Sequence, residues 1–403
     1  MNYTTEEKSQ KNFSVCLCKY TSLNAYNVKP YLLVLVIALA YYLLSRQNKK
    51  SDLALLCFFM YLAIFVGLGD MIGGYDRYIY CEVFDTIADE VRSDRPNLPR
   101  VMYLVQGSEY GYFYWNVLVS FITKNRYIFV FITTLTCYAL YYRAFKKYID
   151  DYPLACIVFL GLFFYFTMTY LRQVMAVGIA WQGLRYIWQR DYRFFLFIAV
   201  AYCFHSSVLI FAPFFFVPLK KLPKSFIVKL LILCFLVGLT PLPSSWLSDT
   251  TEALGKRSYE NQDQGFRIEY VLEAIFFVWV FFKNYKKIEE TPKNLTFLNM
   301  SFAFCCLLLV FMRFGQGGRL GWYYMFGIIY TLTQLANAPR AFVWMKTFVI
   351  ATSFALFLRI TISWMPLNVP YKTFLTNGKP AGDGSVYNYY EYDEGYQRDK
   401  FYR

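Results

Sequence analysis

The chain has 403 residues, of which 57% are hydrophobic and only 17% are charged, whereas soluble domains carry about 25% charged residues. This composition excludes an ordinary soluble domain and indicates a polytopic membrane protein. The formal net charge of +14 does not indicate a nucleic-acid partner, because the lysines and arginines form short clusters at the ends of apolar runs. Clusters of that kind mark the cytoplasmic loops of membrane proteins.

The apolar runs predict an all-α fold with about 12 membrane segments, because most of them approach the length needed to cross a bilayer. The runs lie at 30–45, 52–69, 127–142, 154–171, 174–189, 194–217, 226–240, 268–282, 295–312, 319–336 and 341–362. We predict a polytopic membrane domain over 30–363. A polar N-terminal extension, 1–29, precedes it without the apolar core of a signal peptide, and an external tail rich in Tyr and Asp, 364–403, follows it.

The basic clusters predict the topology. Arg46, Lys49 and Lys50 place the end of the first helix in the cytoplasm. The second helix, 52–69, then returns outward, and residues 70–125 form an external loop. Within that loop the apolar run 113–123 is about 17 Å long as a helix, too short to cross a membrane. We expect it to be a short helix lying in the interface.

Two positions interrupt the apolar pattern further along the chain. Arg172, followed by Gln173, lies between the runs 154–171 and 174–189, and His205, the single histidine, interrupts 194–217. An intramembrane arginine costs about 2.5–3.5 kcal/mol even on lenient scales, so Arg172 has a task or a partner, or is an interfacial anchor. His205 is a functional residue or a hydrogen-bonded core residue.

Both flanks of 194–217 are basic, at Arg190 and Arg193 before it and at Lys220, Lys221 and Lys224 after it. A single crossing would put one of these clusters outside. We therefore predict a helical hairpin that bends at His205, where a cavity must cover the irregular backbone.

A second anion-binding candidate is the glycine-rich junction between Arg313 and Arg319, because glycine lets backbone N–H groups approach a phosphate closely. An ordinary turn with interfacial arginines is the alternative. The predicted topology places all the polar candidates on the external side: Asp76, Glu109, Arg172, Gln173, His205, Arg313 and Arg319.

These residues allow a particular chemistry. Arginines bind phosphate or pyrophosphate through fork-shaped hydrogen bonds, and a carboxylate or histidine can take a proton from a hydroxyl. The combination fits substitution at a sugar carbon with pyrophosphate as the leaving group. The sequence has no P-loop and no metal-binding motif, so we expect neither a cofactor nor a metal.

Four short motifs in order resemble the EpsG-like family of bacterial polysaccharide polymerases, which is related to the Wzy type. They are Gly74-Tyr75-Asp76 with Tyr80, Glu109-Tyr110-Gly111-Tyr112 with Asn116, Leu171-Arg172-Gln173 with Ala176, and Phe204-His205-Ser206-Ser207. The resemblance covers roughly residues 30–340. Tyr110 departs from it, because the family usually has proline after the glutamate.

The resemblance implies a metal-independent glycosyltransferase of exopolysaccharide, capsule or O-antigen synthesis. It would join undecaprenyl-pyrophosphate-linked oligosaccharide repeats at the periplasmic face of the bacterial inner membrane. Arg172 and Arg319 would hold pyrophosphate, with Arg313 a lesser candidate and with Gln173, Tyr80 and Tyr112 as further substrate contacts. His205, Glu109 or Asp76 would position or deprotonate the acceptor. Membrane lipid, a chain-length regulator and a flippase are expected partners.

Two other functions fit parts of the pattern. A membrane acyltransferase that modifies the glycan would also use an intramembrane His and Arg, but it needs a polar path for an acyl donor from the cytoplasm. A flippase or transporter for the lipid-linked oligosaccharide would carry internal repeats and polar residues at mid-membrane. The sequence has neither an evident path nor an evident repeat.

Overall fold

The computed structural model describes residues 28–69, 75–104, 109–246, 265–314, 317–338 and 344–365, with residues 371, 373 and 375. Within these ranges the chain is helical and forms no strand; Gly69 and Thr373 form one isolated β-bridge. The all-α prediction is therefore confirmed for the described residues. The predicted N-terminal extension and external tail lie almost entirely outside them.

The helices follow one another in this order: α1 Lys29–Leu44, α2 Asp52–Gly67, α3 Tyr75–Val91, α4 Leu98–Leu104, α5 Tyr110–Ser120, α6 Arg126–Tyr148, α7 Tyr152–Leu162, α8 Leu171–Gln182, α9 Leu184–Trp188, α10 Arg193–Phe204, α11 Lys224–Leu239, α12 Ile268–Lys283, α13 Pro292–Val310, α14 Gly317–Leu320, α15 Met325–Asn337 and α16 Met345–Ser363. Within the described ranges, four 3₁₀ helices accompany them, at Phe164–Met168, Ser206–Phe216, Tyr285–Lys287 and Gly321–Tyr324.

Three of the described helices, α6, α13 and α16, are long and apolar enough to cross a membrane. Several others, among them α1, α2, α7 and α10, are apolar but shorter. The predicted number of about 12 spans is therefore not confirmed. The reason lies in the breaks: the run 154–171 divides into α7 and the 3₁₀ helix Phe164–Met168, and Gly183 separates the end of α8 at Gln182 from α9.

The core is built around α7, in which every residue is buried. Helices α1, α15 and α16 pack against it, while α2 and α8 pack against α6. The crossing of α7 with α16 is close at Gly161, where an added Cβ would lie 2.5 Å from the carbonyl oxygen of Ser353. Small residues permit such close approach between membrane helices.

The predicted external loop contains a helix that hydropathy did not reveal. α3 buries Cys81, Phe84 and Ile87 on one side, a spacing of three residues that suits an amphipathic helix. Opposite charges fix it to α6, because the buried Arg126 pairs with Asp85 and with Glu82. The short apolar run in this loop forms α5, an 11-residue helix, as predicted for a segment too short to cross.

The predicted hairpin at His205 is present. α10 ends at Phe204, His205 is extended, and the 3₁₀ helix Ser206–Phe216 turns back. Its far end returns to the beginning of α10, since Arg190 donates to the carbonyl oxygens of Phe215 and Val217. The rings of Phe194 and Phe215 stack there with centroids 5.8 Å apart. Both basic flanks of the run therefore lie at the same end of the fold.

Candidate functional site

Several helix ends meet at one point and bring the polar candidates together. The 3₁₀ helix after α7 ends at Met168, and α8 begins at Leu171. The turn at His205 and the short helix α14, which carries Arg319, meet this junction. Polar side chains lie here because helix ends leave backbone groups without intrahelical partners. We call this set of residues the arginine cluster: Asp76, Tyr80, Glu109, Tyr170, Arg172, Gln173, His205, Ser207, Arg319 and Tyr323.

Arg172 is held by a buried carboxylate. Its Nη1 donates to Oε2 of Glu109 at 2.8 Å, and the Glu109 side chain is 4% exposed while that of Arg172 is 39% exposed. The other oxygen of Glu109 accepts from the backbone N–H of Ser206 at 3.3 Å. Glu109 therefore joins the α8 junction to the His205 turn and leaves part of Arg172 accessible.

A chain of hydrogen bonds starts at His205. Its Nδ1 accepts from the backbone N–H of Ser207 at 3.3 Å and lies 2.7 Å from Oγ of the same serine. Ser207 Oγ also lies 2.9 Å from the hydroxyl of Tyr323. Because a backbone N–H donates to Nδ1, neutral His205 carries its proton on Nε2.

Gln173 connects the two arginine-bearing segments. It is 1% exposed, and its Oε1 accepts from Nε of Arg319 at 2.9 Å. Its Nε2 donates to the carbonyl oxygen of Arg319, also at 2.9 Å. A buried amide satisfied in both directions fixes the position of α14 relative to α8.

Aromatic rings support both guanidinium groups. The guanidinium of Arg319 lies 4.0 Å from the ring centroid of Tyr170, and that of Arg172 lies 5.4 Å from the centroid of Tyr80. The ring of Tyr112 packs edge-on against Tyr80 at 5.9 Å. Such cation–π contacts orient planar arginines while their edges remain available for hydrogen bonds.

Asp76, in the first turn of α3, faces the two arginines. Burial raises the pKa of its carboxyl, and the nearby charges of Arg319 and Arg172 oppose that rise. Its side chain is half-buried. Asp76 is thus a carboxylate beside two cations, whereas both oxygens of Glu109 already have partners.

The predicted candidates meet at this point, except that Tyr112 reaches the cluster only through its ring contact with Tyr80 and Arg313 lies outside it. Arg313 donates from Nη1 to the carbonyl oxygen of Leu239 at 2.9 Å, which ties it to the end of α11. Tyr323 and Tyr170 also belong to the cluster but were not among the predicted residues. Each adjoins a predicted arginine motif, but nothing in their local sequence distinguishes them from the other 36 tyrosines of the 38 in the chain.

The Arg172 side chain is partly buried and partly accessible. Its Nε is buried and has no hydrogen-bond partner within the described residues. A buried unpaired donor is costly. The rest of the side chain, which is 39% exposed, lies beside a carboxylate and a second arginine and suits an anionic ligand with several oxygen atoms.

A model of the EpsG family matches residues 52–373. The chain belongs to the EpsG family. The match includes the arginine cluster in full, and it confirms the resemblance that the four short motifs indicated. Comparisons with curated proteins and with solved structures gave no match. Membership in the EpsG family, together with the apolar helices, associates this chain with polysaccharide polymerisation in a membrane.

Proposed function

We propose that the chain is a polysaccharide polymerase that joins lipid-pyrophosphate-linked oligosaccharide repeats. The observation that carries this proposal is the meeting of Arg172 and Arg319 with an acidic residue and a histidine–serine–tyrosine chain at one set of helix ends. Two oriented arginines suit a pyrophosphate leaving group. The positive-inside pattern supports a site on the periplasmic face of the bacterial inner membrane, and undecaprenyl pyrophosphate is the proposed lipid carrier.

The reaction is a substitution at the anomeric carbon of the growing glycan. The acceptor hydroxyl oxygen of a new repeat forms a bond to that carbon. The bond from the carbon to the pyrophosphate oxygen breaks, and the pyrophosphate keeps the electron pair and its lipid. Arg172 and Arg319 stabilise the negative charge that develops on the leaving oxygen, which is an electrostatic role.

The partners of the three acidic or basic candidates favour a division of roles. Glu109 accepts from Arg172 and from Ser206, so we assign it to positioning Arg172. Asp76 forms no hydrogen bond with any residue that the structure describes, and its raised pKa strengthens it as a base. We therefore assign to Asp76 the role of the base that removes the proton from the acceptor hydroxyl. His205, held in place by Ser207 and, through it, by Tyr323, orients the sugar.

A comparison of two aspartates on one helix tests this assignment. Asp76→Asn should abolish the polymer ladder in cells that lack the chromosomal copy, because it removes the base. Asp89→Asn, an exposed position on α3, should leave the ladder intact. Glu109→Gln keeps the shape of the side chain and should reduce polymer less than Asp76→Asn does. Full polymerisation by Asp76→Asn would refute the assignment of the base.

A further inference from the structure

A second charged cavity lies at the other end of the fold. It has a volume of about 330 Å³ and is lined by Tyr42, Ser45, Arg46, Lys49, Asp151, Pro153 and Lys346. Asp151 immediately precedes α7, whereas the arginine cluster begins where the 3₁₀ helix after α7 ends. That helical path of α7 and the 3₁₀ helix is roughly 25 Å long, and the two sites lie at its opposite ends.

The cavity has more positive than negative charge. Three cations line it, and its single carboxylate already has a hydrogen-bond donor and an ion-pair partner. Asp151 accepts from the backbone N–H of Leu154 at 3.2 Å and pairs with Lys49 at 3.3 Å. Within the ranges that the structure describes, neither Arg46 nor Lys346 has an ion-pair partner. The three cations therefore exceed the one carboxylate by two positive charges.

The positions of these cations favour an oxyanion as the ligand. The ammonium group of Lys346 lies beside that of Lys49, which also donates to Oδ1 of Asn337 at 3.0 Å. Like charges side by side repel each other unless an anion joins them. The hydroxyl groups of Tyr42 and Ser45 add neutral donors to the same cavity. A phosphate group, with several acceptor oxygens, matches this mixed set of donors.

The surface beside the cavity is apolar and exposed. Leu43 and Leu44 directly precede the cavity residues Ser45 and Arg46, and they are 44% and 85% exposed. Trp344, two residues before Lys346, is 75% exposed. Tryptophan is enriched at the level of lipid headgroups, and exposed leucines beside it suit contact with acyl chains. The phosphate that reaches this cavity most directly is therefore that of a lipid.

We propose that this cavity binds the phosphate group of an anionic phospholipid headgroup. Arg46, Lys49 and Lys346 hold the phosphate, and the acyl chains lie against the exposed leucines at the end of α1. The site is distinct from the arginine cluster, so this inference does not depend on the polymerase assignment. The bound lipid would fix the beginning of α16 against the end of α1.

Lipid titration of the full-length protein in a non-ionic detergent tests the proposal. The probes are short-chain phosphatidylglycerol, phosphatidylcholine of the same chain length and inorganic phosphate, and native mass spectrometry measures the bound fraction. We expect phosphatidylglycerol to bind in preference to the other two. The double variant Arg46→Gln/Lys346→Gln should raise its Kd at least tenfold, because each charge-assisted hydrogen bond lost weakens binding by about that factor.

A matched double variant controls for lost charge. Lys50 and Lys146 form exposed ion pairs with Asp150 and Asp52, each at 2.8 Å, and neither lysine lines the cavity. Lys50→Gln/Lys146→Gln should leave the Kd for phosphatidylglycerol unchanged. Lys346→Arg keeps the charge and should retain binding, which separates lost binding from lost folding.

Three results would overturn the inference. Unchanged phosphatidylglycerol binding by Arg46→Gln/Lys346→Gln would exclude the cavity as the site. An equal loss in the control double variant would reduce the effect to general surface charge. Inorganic phosphate that binds as tightly as phosphatidylglycerol would exclude a lipid as the source of the phosphate.

Discussion

Replacing Arg172 by lysine tests the arginine cluster most directly, because the substitution keeps the charge and removes the fork. Nη1 of Arg172 lies 2.8 Å from Glu109, and its Nε has no partner within the described part of the chain. A lysine ammonium can pair with Glu109 or contact a ligand, but it cannot do both in the arginine's geometry.

The size of the effect follows from the contacts at stake. Losing one or two charge-assisted hydrogen bonds costs about 1.5–3 kcal/mol each, which corresponds to a rate roughly 10- to 10⁴-fold lower. Arg172→Lys should therefore lose most polymer. The protein should still accumulate in the membrane, because the ammonium can still neutralise Glu109, which is 4% exposed.

The assay is the glycan ladder of a strain in which the variant replaces the wild-type copy, with membrane protein quantified in parallel. Arg143→Lys is the matched control, since Arg143 is exposed near the far end of α6 and should support a full ladder. A full ladder from Arg172→Lys at normal expression would refute the pyrophosphate contact and make Arg172 an interfacial anchor.

Three further predictions follow from the fold. Leu222→Cys in a cysteine-free background should resist an impermeant thiol reagent added outside, whereas Asp94→Cys should react; labelling of Leu222→Cys from outside would contradict the predicted orientation of the hairpin. Asp76→Asn should raise the melting temperature of the detergent-purified protein at pH 7. Burial raises the folded-state pKa of Asp76, so ionisation of Asp76 destabilises the fold as pH rises through that pKa. The gain in melting temperature should vanish below about pH 4, the ordinary pKa range of aspartate, and a gain independent of pH would contradict this reasoning. Asp85→Ala should destabilise the protein by about 3–5 kcal/mol, because it removes the buried partner of the buried Arg126 and leaves the half-exposed Glu82. A free energy of unfolding equal to that of the wild type would show that the pair adds nothing.

Much of the site could be predicted because polar residues are rare in apolar segments. Arg172 and His205 stood out against hydrophobic runs, and the cost of burying such groups made a function or a partner the expected explanation. The hairpin followed from charge, since two basic flanks cannot both be cytoplasmic after one crossing. The described structure brings the ends of that run together through Arg190 and Phe215.

Other features had no local signal. The pairing of Arg172 with Glu109 joins positions 63 residues apart, and hydropathy carries no information about such a contact. Arg313 carries the same charge and glycine-rich context as Arg319, yet its hydrogen bond goes to Leu239. Helix α3 was missed because its apolar positions are interleaved with charges, so an average over a window of residues registers only a polar loop.

The last prediction separates a polymerase from a transporter. If the arginine cluster performs transfer, Arg319→Ala and His205→Ala should accumulate single repeats on the lipid carrier at the outer face, and cells should show one-repeat glycans without a ladder. A transport defect would hold the lipid-linked repeat at the cytoplasmic face instead. Glycosidase added to intact spheroplasts distinguishes the two, because it digests only the repeats that face outward.

The contacts of Arg319 and His205 also predict which of the two variants loses more polymerisation. Arg319 lies 4.0 Å from the Tyr170 ring centroid and donates to Gln173, so its replacement removes both a leaving-group contact and a connection between α14 and α8. A single arginine contact in phosphoryl chemistry can be worth about 10³–10⁵-fold, whereas the role assigned to His205 is to orient the sugar. Arg319→Ala should therefore be at least as severe as His205→Ala. Protected repeats in both variants would favour transport, because an enzyme that acts after translocation cannot trap its substrate on the cytoplasmic side.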